Sequence, residues 1–304
     1  MEIGMIGLGK MGANMVLRLL KGGHRVVVYD INEASIQVAE KEGAEGARTL
    51  DQLVEKLNVP RLVWLMVPSG KITEETIFAV AELFTPGDTI IDGGNSNYKD
   101  SMRHSVELNE KGINFVDVGT SGGIWGLNEG YSMMIGGKKE IIDRYSPIFE
   151  TLAPAPDKGW GYVGPAGSGH FVKMVHNGIE YGLMQAYAEG FEILKAKKEF
   201  DLSLSQIAKI WQDGSVVRSW LLDLTASALS EDENLTGIKG WVPDSGEGRW
   251  TAFEAIDLNV AAPIITLSLQ RRIRSRADQP FSDKLIAAMR GKFGGHEVKR
   301  DTIQ

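Results

Sequence analysis

The amino-acid sequence predicts an α/β chain, with a doubly wound sheet in its first half followed by an all-α C-terminal domain. Three observations predict this. Short apolar runs alternate with amphipathic segments through the first half, a glycine-rich turn joins the first run to the first amphipathic segment, and after residue 165 the alternation gives way to long helical patterns. Strand–helix alternation of this kind builds a parallel sheet covered by helices on both faces.

Taken in order, the runs 3–7, 25–30, 62–67, 89–92, 114–118 and 132–135 read as strands. Segments 10–21, 33–42, 74–84, 98–111 and 140–149 space their apolar residues at helical intervals and read as the helices between them. From 169 to about 197 the pattern is one long proline-free helix, followed by helical stretches at 204–211, 216–229, 252–260 and 264–276. The boundary is expected near Gly164. That gives a dinucleotide-binding domain over 1–163, an all-helical substrate and oligomerisation domain over 164–289, and a polar tail over 290–304.

The 304 residues suffice for two domains, and an apolar fraction of 43% supplies their cores. A formal charge of -7 argues against nucleic acid or an anionic membrane as a main partner. With 0 cysteines there is no disulfide, zinc–thiolate site or cysteine nucleophile, which suits a reducing cytoplasm. The N-terminus lacks the form of a signal peptide, and no stretch has the ~18 apolar residues of a membrane span. A soluble, cytoplasmic protein is expected. No His/Asp/Glu cluster has convincing metal-ligand spacing, so no metal is expected.

The turn is Gly7-Leu8-Gly9-Lys10-Met11-Gly12, a G-x-G-x-x-G between a strand and a helix. The first glycine permits a tight turn, the second lets the backbone approach a pyrophosphate, and the third allows close strand–helix packing. The helix N-terminus turns free N–H groups toward the anion. Alone the motif is weak in a chain with 36 glycines. It gains weight from Asp30, which closes the next strand at the distance where a Rossmann-type domain carries its ribose-binding acid. That carboxylate repels a 2′-phosphate, and no basic residue follows until Lys41. The expected cofactor is therefore NAD.

The long helix carries the densest chemistry. From Lys173, the residues His176, Asn177, Glu180 and Tyr181 fall at helical spacing on one face, while Val172, Val175, Ile179 and Leu183 fall opposite and are expected to pack inward. A solvated face with Lys–Glu pairs would explain two of those polar residues. It does not explain an aligned histidine, asparagine and tyrosine.

This helix resembles the catalytic helix of the 6-phosphogluconate dehydrogenases. The resemblance implies Lys173 as base and Glu180 as acid, His176 and Asn177 as substrate contacts, and Tyr181 as a phosphate contact. Asp92-Gly93-Gly94-Asn95-Ser96 is similar to the family's loop whose asparagine, here Asn95, touches cofactor and substrate. Thr120-Ser121-Gly122-Gly123 resembles its substrate-carboxylate loop, implying Ser121, Gly122 and Gly123. Arg272 aligns with a phosphate-binding arginine, with Arg271 and Arg274 as the other registers. Arg290 and His296 match a tail that reaches a neighbouring subunit's site, implying a homodimer or homotetramer. The chain looks like the family's short, NAD-preferring form. It departs from the long form at Ser245 and Glu247, where that form has a lysine and a threonine. A carboxylate beside a phosphate is repulsive, so Glu247 is expected to turn away or to pair with Arg249, or else the substrate differs.

The resemblance implies oxidative decarboxylation of 6-phosphogluconate to ribulose 5-phosphate. The rival readings are another β-hydroxyacid dehydrogenase acting on a small acid such as 3-hydroxyisobutyrate, and a non-enzymatic NAD-binding module. Trp64, Trp211 and Trp220 read as core or interface residues. His24 and His104 read as surface or helix-end residues.

Overall fold

The structure, a computed structural model, describes residues 1–294 and Lys299. By internal contacts the chain forms two compact units, Met1–Asn177 and Gly178–Gln304.

In the first unit, strands and helices alternate as β1 (Glu2–Ile6), α1 (Lys10–Lys21), β2 (Arg25–Tyr29), α2 (Glu33–Lys41), β3 (Glu45–Gly46), α3 (Leu50–Glu55), β4 (Leu62–Leu65), α4 (Lys71–Leu83), β5 (Thr89–Asp92), α5 (Tyr98–Glu110) and β6 (Asn114–Ser121). Then follow α6 (Gly126–Glu129), β7 (Ser132–Gly137), α7 (Lys139–Arg144), α8 (Ser146–Leu152) and β8 (Trp160–Gly164). Helix α9 (Ser168–Ala196) begins in this unit and continues into the second. There it is followed by α10 (Leu204–Gln212), α11 (Trp220–Glu231), α12 (Glu247–Asp257), α13 (Pro263–Ser275) and α14 (Phe281–Gly294).

The sheet order is β3-β2-β1-β4-β5-β6-β7-β8, parallel except where β6 meets β7. Strand order reverses between β1 and β4, so the ends of those strands leave the crevice in which such sheets bind ligands. The central strands read as near-continuous apolar runs because both faces are buried. Val26 and Val28 pack with Ile3, Met5, Trp64 and helices α1 and α8 on one side. Val27 packs with Val63, Leu65, Ile90 and helices α3 to α5 on the other. The second unit has its own small core, where Phe191 meets Leu204, Ala208, Leu222, Ala226 and Leu229.

Helix starts follow local chemistry. Asn32, Thr49, Asn97, Ser203 and Ser219 each accept a backbone N–H with the side chain at a helix N-terminus. Ser219 explains why α11 begins at Trp220, later than the helical pattern from 216 suggests. The segment read as one helix over 140–149 is two, because Pro147 lacks an N–H and starts α8 afresh. Strand β8, the short β3 and α3, and helix α14 are additions to the sequence reading. Arg290 lies within α14 rather than in a polar tail.

One histidine departs from expectation: His104 is buried in the middle of α5, while His24 stands just past the end of α1 and is buried as well. His24 Nε2 meets Thr151 Oγ1 at 2.7 Å, and His104 packs edge-on to Phe78 and Phe115. Burial, helped by Arg103, holds the His104 imidazole below its ordinary value of 6.5, and burial also lowers His24. The unfolded chain takes up these protons near pH 6.5 while the folded chain refuses them. Stability from this source is therefore complete above that pH and falls as the pH drops below it. Melting temperatures measured from about pH 7.5 down to about 5.5 should decline, and should decline less in His104→Gln. An equal decline in both proteins would remove His104 from the explanation.

Candidate active site

The glycine turn sits at the end of β1, stitched to both neighbours. Gly7 N donates to Tyr29 O at 2.9 Å, and Met66 N donates to Ile6 O at 2.7 Å. Gly7 adopts φ +94°, and a Cβ there would lie 2.6 Å from the Met66 carbonyl oxygen. A Cβ at Gly12 would collide with the Gly7 carbonyl oxygen, whereas nothing lies within 4 Å of one at Gly9. The three glycines thus have different causes: backbone conformation, open approach and tight packing. Helix α1 has no side-chain cap and no acid in its first turn. The N–H groups of Lys10, Met11 and Gly12 lack helical partners and suit an anion.

Asp30 lies beside this turn. Its Oδ2 accepts Leu8 N at 2.6 Å and its Oδ1 accepts Asn32 N at 2.7 Å. Each carboxylate oxygen keeps a further lone pair for a ligand hydroxyl. Ile31, 95% exposed, offers no charge to a 2′-phosphate, and Arg48 is engaged by Glu40 and Glu33. The donor set and the open space over Gly9 fit a dinucleotide with free ribose hydroxyls.

Beyond β5, the Gly93–Gly94 turn folds tightly. Gly94 N donates to Asp92 Oδ1 at 3.0 Å, and a Cβ at Gly93 would strike the Trp64 indole. This close packing leaves Asn95 exposed at the loop tip. Strand β6 ends in Ser121, followed by Gly122 and Gly123 at φ +133° and +52°. The first turns of α9 lie across that same strand, where a Cβ at Gly119 would collide with Cβ of Lys173. Lys173 and Asn177 are only 7% and 6% exposed, and His176 Nδ1 sits 3.1 Å from Asn177 Oδ1. The first unit therefore gathers Lys173, His176, Asn177 and the end of β6.

In the second unit, Tyr181 is buried, and burial pushes its hydroxyl above the ordinary value, keeping it protonated. Its ring carries the Arg272 guanidinium 3.5 Å from the centroid, a cation–π stack. Its hydroxyl lies 3.4 Å from Ser245 Oγ, which donates to Glu247 Oε2 at 2.6 Å. Glu247 is 3% exposed, and Arg249 pairs with Asp244 at 2.6 Å. Of the alternatives for Glu247, pairing with Arg249 is not the one found: Asp244 takes the arginine, and Ser245 donates to Glu247. Glu180, half-buried, follows Lys173 by about two turns of α9. Arg290 is exposed on α14, and His296 lies outside the described residues.

The amphipathic reading of α9 is also corrected. Lys173, Asn177 and Tyr181 are buried and His176 and Glu180 half-buried, while of the positions expected to pack inward Ile179 and Leu183 are 54% and 45% exposed, Val172 is exposed and Val175 is half-buried. Sequence reasoning further missed Asp117 and Gly119. The signal was available, since Asp117 interrupts an apolar strand run in Phe115-Val116-Asp117-Val118. Among the described residues no group of three or more His, Cys, Asp or Glu could hold a metal ion, and no helix is long and apolar enough to cross a membrane.

A doubly wound dinucleotide-binding sheet, followed by helices headed by a long lysine-bearing one, defines a class of NAD-binding oxidoreductases. The NAD binding domain of 6-phosphogluconate dehydrogenase matches residues 2–164, and the C-terminal domain of 6-phosphogluconate dehydrogenase matches residues 169–281. The chain belongs to the 6-phosphogluconate dehydrogenase family. It is 45% identical to YqeC of Bacillus subtilis over 99% of this chain and 100% of that protein. It is 42% identical to the NAD(+)-dependent, decarboxylating 6-phosphogluconate dehydrogenase of Haloferax volcanii, covering 99% of each. Plasmodium falciparum 6-phosphogluconate dehydrogenase superposes with a TM-score of 0.84 at 32% identity, over 100% of this chain and 67% of that one.

Proposed function

We propose that this chain oxidatively decarboxylates 6-phospho-D-gluconate to D-ribulose 5-phosphate and CO2 with reduction of NAD, using Lys173 as base and Glu180 as acid. The observation that carries the reading is the burial of Lys173 against Gly119 of β6, two residues before the Ser121-Gly122-Gly123 turn. An amine accepts a proton only when neutral, and removal from water disfavours the ammonium form.

Held by the turn Gly7–Gly12 and by Asp30, NAD would supply the hydride acceptor for oxidation at C3 of the substrate. Lys173 takes the C3 hydroxyl proton in that step. The product is a β-keto acid, whose carbonyl receives the electron pair as the C1 carboxylate leaves as CO2. Protonated Lys173 stabilises the oxygen on which charge builds. Glu180 then supplies a proton to the carbon that lost the carboxylate, giving the ketose phosphate. Ser121, Gly122, Gly123, Asn95, His176 and Asn177 would orient the substrate. Tyr181 and Arg272 would take its phosphate, with Arg290 and His296 contributed by a neighbouring copy in a homodimer or homotetramer. The chain would act in the cytoplasm.

Incubation with 6-phosphogluconate and NAD should yield NADH and CO2 in equal amounts, with ribulose 5-phosphate as the organic product. Turnover of 3-hydroxyisobutyrate with no CO2 from the sugar acid would overturn the reading in favour of a small-acid dehydrogenase. NAD binding without turnover of either would make the chain a binding module.

A further inference from the structure

A carboxylate lies at the root of the helix that bears Lys173. Asp117 is fully buried in β6, with Oδ1 accepting Gly167 N at 2.7 Å and Oδ2 accepting His170 N at 2.9 Å. Such N–H groups at a helix start have no partner within the helix, and the positive end of the helix dipole favours a carboxylate there. A serine would satisfy one of them, whereas the two oxygens of Asp117 satisfy both.

Glycines let this end of α9 press onto the sheet. A Cβ at Gly169 would lie 2.5 Å from the carbonyl oxygens of Asp117 and Met134, and one at Gly136 would lie 2.6 Å from Asp117 Oδ1. From α5, Ser101 Oγ meets His170 Nδ1 at 2.7 Å, and Tyr98 packs edge-on to Phe171. All these ties converge on residues 167–171, immediately before Lys173. Asp117 and Gly119 point to the same face of β6, and Gly119 is where Lys173 rests. The carboxylate that fixes the helix start is therefore one strand repeat from the floor under the lysine.

We propose that Asp117 is a positioning residue for the reaction: by holding the start of α9 on β6 it sets where the Lys173 side chain enters the site. The inference rests on the reading of Lys173 as the base. It assigns Asp117 no contact with substrate or cofactor.

The test compares Asp117→Ala, Asp117→Asn and Lys173→Ala in the full chain, each scored as kcat per NAD-binding site, with KM for NAD and for 6-phosphogluconate. Displacing a reacting group by about 1 Å costs on the order of 100-fold in rate, and that is the loss expected in kcat for Asp117→Ala, with KM for NAD unchanged. Asp117→Asn keeps one acceptor and should recover about tenfold of the loss. A merely structural role would lower the melting temperature and the number of binding sites while leaving kcat per site intact. That outcome, with Lys173→Ala inactive, overturns the inference alone. If Asp117→Ala fails to fold, Asp117→Asn decides: a kcat per site equal to that of the unmodified protein overturns the inference, and a lowered kcat with unchanged KM for NAD supports it. Full turnover by Lys173→Ala overturns the reading of the base, and the inference with it.

Discussion

Lys173→Ala should lower kcat for 6-phosphogluconate oxidation by roughly a thousandfold while leaving NAD affinity unchanged. General-base transfer contributes within that range, and the same substitution would remove the ammonium proposed to stabilise charge during loss of CO2. The proposed cofactor residues Gly7 to Gly12 and Asp30 lie in the turn after β1, the first turn of α1 and just past β2, away from the sequence neighbourhood of Lys173, so binding of NAD serves as an internal control for folding. Lys173→Arg should be equally inactive, because a guanidinium stays charged and cannot act as base. NADH absorbance gives the rate, and calorimetry gives the NAD affinity. Turnover close to that of the unmodified enzyme would remove the lysine from its role.

Pairing Asp30→Asn with Ile31→Arg should raise the NADP-to-NAD ratio of kcat/KM by about 100-fold. The first change removes a carboxylate facing the added phosphate. The second places a guanidinium at a position now 95% exposed and apolar. A charge-assisted hydrogen bond contributes about 1.5–3 kcal/mol, and each 1.4 kcal/mol is tenfold, so loss of repulsion plus gain of one such bond reaches this magnitude. Neither change touches Lys173 or Glu180, so kcat with NAD at saturation should survive. An unchanged ratio would refute the assignment of cofactor preference to this corner.

The strands and the glycine turn were legible because their signals are local. Apolar runs such as Val26-Val27-Val28 demand burial on both faces, and a glycine triplet between strand and helix leaves few alternatives. Strand β8 was not legible: Trp160-Gly161-Tyr162-Val163-Gly164 looks like a turn until β7 supplies its hydrogen bonds. Helix α9 was found along its length yet turned the wrong way round. Periodicity gives two faces, and only tertiary packing decides which is covered. Here Gly119 leaves room on β6 for the Lys173 stem, and Asp117 and Gly136 hold the start of the helix beside it. The Ser245–Glu247 bond was likewise invisible, because which of two nearby acids captures Arg249 depends on geometry rather than on order in the chain.

Asp30 has a second duty besides any ligand: it bridges the amides of Leu8 and Asn32. On the proposed assignment, coenzyme choice and the shape of the glycine turn share one side chain. A lineage drifting toward the phosphorylated coenzyme would pass through intermediates whose turn has slackened before any new cation compensates. Such a valley makes the preference hard to lose by single steps, and a replacement that still accepts an amide, asparagine before alanine, is the shallowest way across.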